Sequence, residues 1–132
     1  MTHKIIQQDI RLLAQNIVDK ARQKTMLVAL AESCTGGMIA AALTDISGSS
    51  AILDRGFVTY SNHAKIDILG VKNTTLDQHG AVSEQTARAM VDGTLNAAPL
   101  ADVALSVTGI AGPAGGGPDK PVGLVHFSCQ RR

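Results

Sequence analysis

Four short apolar runs limit what this chain can become: "MLVAL" (26–30), "GFVTYS" (56–61), "DVALSVTG" (102–109) and "VGLVHFSC" (122–129). Each has the length of a strand, and the first is apolar without alternation, as expected of a strand covered on both faces. The stretches between them carry helical signals. Ile6, Ile10, Leu13, Ile17 and Ala21 recur at helical spacing within 4–23, with Gln8, Arg11, Asn16 and Lys20 on the other face. "GMIAAALT" (37–44) reads as a tightly packed helix that "ISGSS" breaks. Asn62 is placed to cap a helix running to Leu69 and ending at Gly70. Ser83 is placed to cap another over 84–98, closed by Pro99 and weakened in its middle by Gly93. Helices alternating with apolar strands predict one three-layer α/β/α domain around a mostly parallel sheet.

In open sheets of this kind ligands bind beyond the carboxyl ends of the strands. Here the polar and glycine-rich segments 32–37, 59–65 and 106–117 all follow predicted strands, which points to a site at that end. Two common phosphate-binding patterns are absent. No glycine-rich stretch supplies the Gly-Lys-Ser/Thr of a P-loop, and no Gly-x-Gly-x-x-Gly follows the first strand. "ESCTG" also departs from the Gly-x-Ser-x-Gly elbow of hydrolases, although the order strand, nucleophile, helix is kept.

Composition excludes several classes of partner. The formal charge is +1, and the aromatic residues are one Tyr and two Phe, so neither a phosphate backbone nor stacked bases find a surface here. Cys34 and Cys129 are too few for a disulfide framework and lack metal-ligand spacing. No apolar run approaches membrane-spanning length, and polar residues throughout the first twenty argue against a signal peptide. The expectation is a soluble, cytoplasmic chain with no nucleic-acid or membrane partner and no bound metal.

Within "AESCTGG" (31–37), Ser33, Cys34 and Thr35 stand side by side at a strand-to-helix junction. One reading is a helix start, with hydroxyls capping free N–H groups and Gly36 and Gly37 permitting the turn. The other uses the same N–H donors to hold an anion or a developing oxyanion while a hydroxyl attacks an acyl carbon. Such a hydroxyl needs a base. His3 and His126 lie in a predicted helix and strand, and His79 in a turn, whereas His63 and Lys65 both follow the second strand in "TYSNHAK". A lysine made neutral by desolvation can serve a serine as base. Tyr60 is placed either to relay a proton or orient a ligand, or to sit in the core, and Cys34 either to attack or to pack. Residue types alone leave these alternatives open.

The segments "AESCTGG", "TDISGSSAILDRGFVTYSNHAKIDILGV", "HGAVSEQTARAM" and "ADVALSVTGIAGPAGGGPDKPVG" resemble, in order, the C-terminal domain of the CinA (competence/damage-inducible) family, which includes stand-alone nicotinamide mononucleotide deamidases. The resemblance implies hydrolysis of the carboxamide of nicotinamide mononucleotide to nicotinate mononucleotide and ammonia, with no cofactor. It implies Ser33, Lys65 and Tyr60 as the catalytic residues, with Ser33 as nucleophile, Lys65 as its base and Tyr60 near the ligand. Cys34, Thr35, Gly36, Gly37, Ser49, Ser50, Thr108 and Gly109 would line the pocket. Family domains continue through another strand and a C-terminal helix, whereas this chain stops at "FSCQRR". The expectation is a shortened domain with part of its sheet uncovered, prone to self-association. The rival expectation is a nucleotide-binding or assembly module without turnover.

Overall fold

The computed structural model describes residues 2–132. Its elements, in chain order, are α1 (Thr2–Gln23), β1 (Val28–Glu32), α2 (Met38–Thr44), a 3-10 turn (Ser49–Ala51), β2 (Leu53–Val58), α3 (Asn62–Leu69), α4 (Asn73–His79), α5 (Glu84–Ala97), β3 (Val103–Gly109) and β4 (Val125–Arg131). The sheet order is β2-β1-β3-β4, with β1 parallel to both neighbours and β4 antiparallel to β3. The expected α/β/α fold with a mostly parallel sheet is what the chain adopts.

The layers follow from the alternation of side chains along β1, every residue of which is buried. Val28 and Leu30 pack with Ala14, Val18 and Ala21 of α1 and Leu43 of α2. Ala29 points to the opposite face, among Val91 and Leu95 of α5, and Ala31 joins Leu69 of α3, Leu76 of α4 and Met90 of α5. Alanines at these two positions let α5 sit close against the sheet.

Several expectations from the sequence need correction, beginning with the first strand, which runs 28–32 in place of 26–30. Of the stripe Ile6, Ile10, Leu13, Ile17 and Ala21 only Ala21 is buried; the other four are exposed, and α1 is anchored through Ala21 together with the smaller Ala14 and Val18 beside the stripe. β2 runs 53–58 in place of the predicted 56–61, because Asp54 and Arg55 disguise the start of an outer strand, Arg55 exposed and Asp54 partly buried. β4 runs 125–131 in place of 122–129, since Gly123 adopts φ +92 and still belongs to the loop. Helix α4 was not foreseen, having Leu76 as its only buried residue and so no apolar period to detect.

At the end of the sheet where β1 begins, α5 is fastened to both outer strands. Arg55 of β2 donates to the Ala97 carbonyl at 3.0 Å. Arg132, following β4, donates to the carbonyls of Leu95 at 2.6 Å, Ala98 at 3.2 Å and Ala101 at 3.1 Å. Leu95 and Ala97 lie in the last turn of α5, whose carbonyls have no partner within the helix, while Ala98 and Ala101 belong to the turn that follows it. Arg132→Ala is expected to lower unfolding stability by about 2 kcal/mol in urea titration, the usual worth of hydrogen bonds from a charged donor.

Candidate active site

The segment leaving β1 enters α2 on one face of the sheet, while that leaving β2 enters α3 on the other. Adjacent parallel strands that diverge in this way open a crevice at their carboxyl ends. Ser33 stands at the first exit. Its N–H still donates to Val107 of β3 at 3.0 Å, so the residue is held by the sheet as the chain begins to turn. Gly36 (φ +57) and Gly37 (φ +106) then take left-handed conformations that bend the backbone into α2.

Lys65 reaches the same point from the second exit. The helix carrying it is capped by Ser61, whose hydroxyl accepts the Ala64 N–H at 3.0 Å, one residue earlier than the Asn62 expected from sequence. Lys65 is only 1% exposed. Its Nζ lies 3.0 Å from Ser33 Oγ, 2.9 Å from the Thr59 carbonyl and 3.1 Å from the Tyr60 carbonyl. No carboxylate forms an ion pair with it among the described residues. Burial therefore lowers its pKa from the ordinary 10.5, opposed only by the nearby Cys34 thiol.

This surrounding has a chemical consequence. The two carbonyls can only accept hydrogen bonds, so they take both hydrogens of a neutral amine and leave its lone pair directed at the Ser33 hydroxyl. Protonated, the same nitrogen donates in all three directions without moving. The site can thus hold Lys65 in either charge state.

The other candidate residues fall into three groups. Cys34, Thr35, Gly36 and Gly37 form the turn beside Ser33; the Cys34 thiol is partly buried, which pushes its pKa up and favours the protonated form. The backbone N–H groups of Thr35 and Gly37 have no acceptor among the described residues, and that of Cys34 faces its own sulfur. Thr108 and Gly109 close β3 at the same end of the sheet as Ser33. Thr108 is buried with its hydroxyl donated to Ala81 at 2.7 Å, and Gly109 makes room for Leu124 and Val125, since an added Cβ would lie 2.8 Å from each. Tyr60 offers its carbonyl to Lys65 while its side chain is 70% exposed and outside the core. Ser49 and Ser50 are not brought to this place. They precede β2, level with the start of β1, about five residue steps or roughly 16 Å from Ser33 along the strand.

Of the histidines, His3, His63 and His79 are exposed and His126 is half-buried on β4. No group of three or more His, Cys, Asp or Glu is arranged to hold a metal among the described residues. No helix among them is long and apolar enough to cross a membrane.

Two contributors were not singled out from the sequence. The Thr59 and Tyr60 carbonyls are backbone atoms and leave no mark in residue types. Glu32 did leave one, an acid ending an otherwise apolar strand immediately before the turn. It is 1% exposed and accepts hydrogen bonds from Thr35 Oγ1 at 2.6 Å, Ile39 N at 2.9 Å and Ala40 N at 3.0 Å.

Fold and site together define a three-layer α/β domain in which a buried amine and an alcohol meet where two adjacent parallel strands end. The chain belongs to the CinA C-terminal domain family, whose model matches residues 10–132. It is 62% identical over 106 residues to the nicotinamide-nucleotide amidohydrolase PncC of Enterobacter agglomerans, covering 80% of this chain and 64% of that protein. To PncC of Escherichia coli K12 it is 50% identical over 120 residues, covering 91% and 72%. A longer relative from Caldicellulosiruptor bescii, named for competence-damage induction, is 52% identical over 119 residues, of which this chain spans 29% of the length. Among solved structures, the competence/damage inducible protein CihA of Agrobacterium tumefaciens superposes with a TM-score of 0.90 at 54% identity, over 94% of this chain and 74% of that one.

Proposed function

We propose that this chain is an amidohydrolase that converts nicotinamide mononucleotide to nicotinate mononucleotide and ammonia, using Ser33 as nucleophile and Lys65 as its base. The observation that carries the reading is the 3.0 Å approach of a buried, carbonyl-oriented Lys65 Nζ to Ser33 Oγ. The names of the PncC relatives supply the substrate.

In this reading Lys65 takes the Ser33 proton as Oγ bonds to the carboxamide carbon, and the oxyanion faces the free N–H groups of Thr35 and Gly37. The C–N bond breaks as Lys65 returns the proton to the leaving nitrogen, releasing ammonia and leaving an ester on Ser33. Water then adds to that ester, giving one proton to Lys65, which passes it to Ser33 as the acid departs. The Tyr60 ring, exposed beside the base, is available to lie against the pyridinium, a cation that aromatic faces attract.

Purified chain incubated with nicotinamide mononucleotide is expected to release ammonia, and Ser33→Ala to abolish that release with the melting curve unchanged. Binding of the nucleotide without turnover by the parent chain would overturn the reading in favour of a binding module. The acid limb of kcat/KM is expected at a lower pH than an ordinary lysine would give, because activity appears as Lys65 loses its proton and burial has lowered the pH at which it does so. A pH profile in which turnover falls as Lys65 deprotonates would contradict its role as base.

A further inference from the structure

We propose that Glu32 is a positioning residue: through Thr35 it clamps the turn that carries the nucleophile, and by occupying the start of α2 it leaves oxyanion binding to the turn's own N–H groups. The inference rests on the amidohydrolase reading and adds to it a residue outside the nucleophile–base pair.

The geometry is unusual for a helix start. A first turn normally draws its cap from the residue just before the helix. Gly37 has no side chain to give, and the cap comes from Glu32, five positions earlier on the strand. One carboxylate oxygen takes the Ile39 N–H and the other the Ala40 N–H. Met38 and Ala41 donate to the Thr35 and Gly37 carbonyls. All of the opening N–H groups of α2 are therefore spent inside the protein, and the negative charge that a helix start favours is already supplied by a side chain. A substrate anion has nothing to bind there.

The remaining bond gives the carboxylate a role beyond capping. The oxygen that holds Ile39 also accepts the Thr35 hydroxyl at 2.6 Å, short for a hydroxyl donor. This ties the middle of the 33–37 turn to the last residue of β1, while Ser33 is tied to β3 and Gly36 to the Ser33 carbonyl. The turn is thus fixed on three sides, with the free N–H groups of Thr35 and Gly37 left on it. Donors that must meet a developing oxyanion gain most when they are held before the reaction begins.

The test uses Thr35, whose hydroxyl is removed without changing its shape by Thr35→Val. Kinetics well below the melting temperature are expected to show kcat reduced at least about tenfold with KM within about twofold, the pattern of an interaction used in the transition state. Thr35→Ser, which keeps the O–H donor, is expected to recover most of the loss. Glu32→Gln places an amide N–H₂ against one of three donors and is expected to lower kcat further, without displacing the acid limb set by Lys65. Thr35→Val with parental kcat, or Thr35→Ser as impaired as Thr35→Val, overturns the proposal if Ser33→Ala is inactive. Turnover persisting in Ser33→Ala overturns instead the reading on which it rests.

Discussion

Lys65→Met is expected to lower kcat for ammonia release by at least about a thousandfold, within the range that positioned acid–base groups contribute, while the protein remains folded. Methionine matches the length of the buried stem and brings no charge. It leaves the Thr59 and Tyr60 carbonyls without their donor, at a cost of about 1–3 kcal/mol for an unmet buried polar group. Against that stands the cost of burying an amine, which the variant no longer bears. The sign of the pH dependence separates the two effects. In the parent the folded-state pKa of Lys65 lies below its unfolded value of 10.5, so the unfolded chain binds more protons between those limits. Stability from this group therefore rises with pH through that window and levels off above 10.5. Lys65→Met lacks the dependence, so its stability relative to the parent is expected to improve as pH falls. Urea titrations across the alkaline range measure this, and parallel curves for the two proteins would show that Lys65 is not buried as described.

Gly93→Ala is expected to destabilise the fold by about 3 kcal/mol, a fall of roughly 10 °C in melting temperature for a chain of this size. The sign is the informative part. Glycine within a helix ordinarily costs about 1 kcal/mol relative to alanine, so on helix propensity alone the substitution stabilises. In this fold an added Cβ would lie 2.0 Å from the Leu69 carbonyl oxygen and 2.8 Å from its carbon, atoms of the α3 backbone that no rotamer change can remove. The helices must separate by an ångström or more. Because Leu69 lies one turn beyond Lys65, the displacement reaches the proposed base, and an error of that size at a reacting group is worth about a hundredfold in rate. Loss of both melting temperature and kcat is the expected result. A stabilised, fully active Gly93→Ala would mean that the two helices cross less closely than described.

The same glycine illustrates where sequence reading stopped. Position 93 reads as a weak spot in a helix because propensity is a local quantity, whereas the contact that requires glycine comes from a residue 24 positions away. The strand exits were legible, since apolar runs of strand length followed by polar and glycine-rich segments are a pattern of composition alone. From them the meeting of "ESCTGG" with "YSNHAK" follows once the strands are parallel neighbours. Ser49 and Ser50 illustrate the converse. Their motif resemblance places them in a pocket, but within this chain they precede β2 and so fall at the opposite end of the sheet. The α1 stripe misled for a related reason. Helical spacing identifies an apolar face but does not say whether a neighbour covers it, and here the smaller residues one step round the helix make the contact. Glu32 stood in the sequence as an acid just past an apolar run, yet its bonds to Thr35, Ile39 and Ala40 depend on a turn whose path only coordinates reveal.

The two arginines at the far end of α5 act on the sheet as a binding does on the spine of a book. Arg55 and Arg132 lace the outermost strands to one helix, so the breadth of the sheet is fixed where β1 begins. At the opposite margin no arginine does the same among the described residues; the ties there are Lys65 to Ser33 and Thr59, Thr108 to Ala81 and Lys120 to His79. The width of the sheet is therefore set at one end by two guanidinium groups, and at the other the strand exits are held together chiefly through the side chain of Lys65.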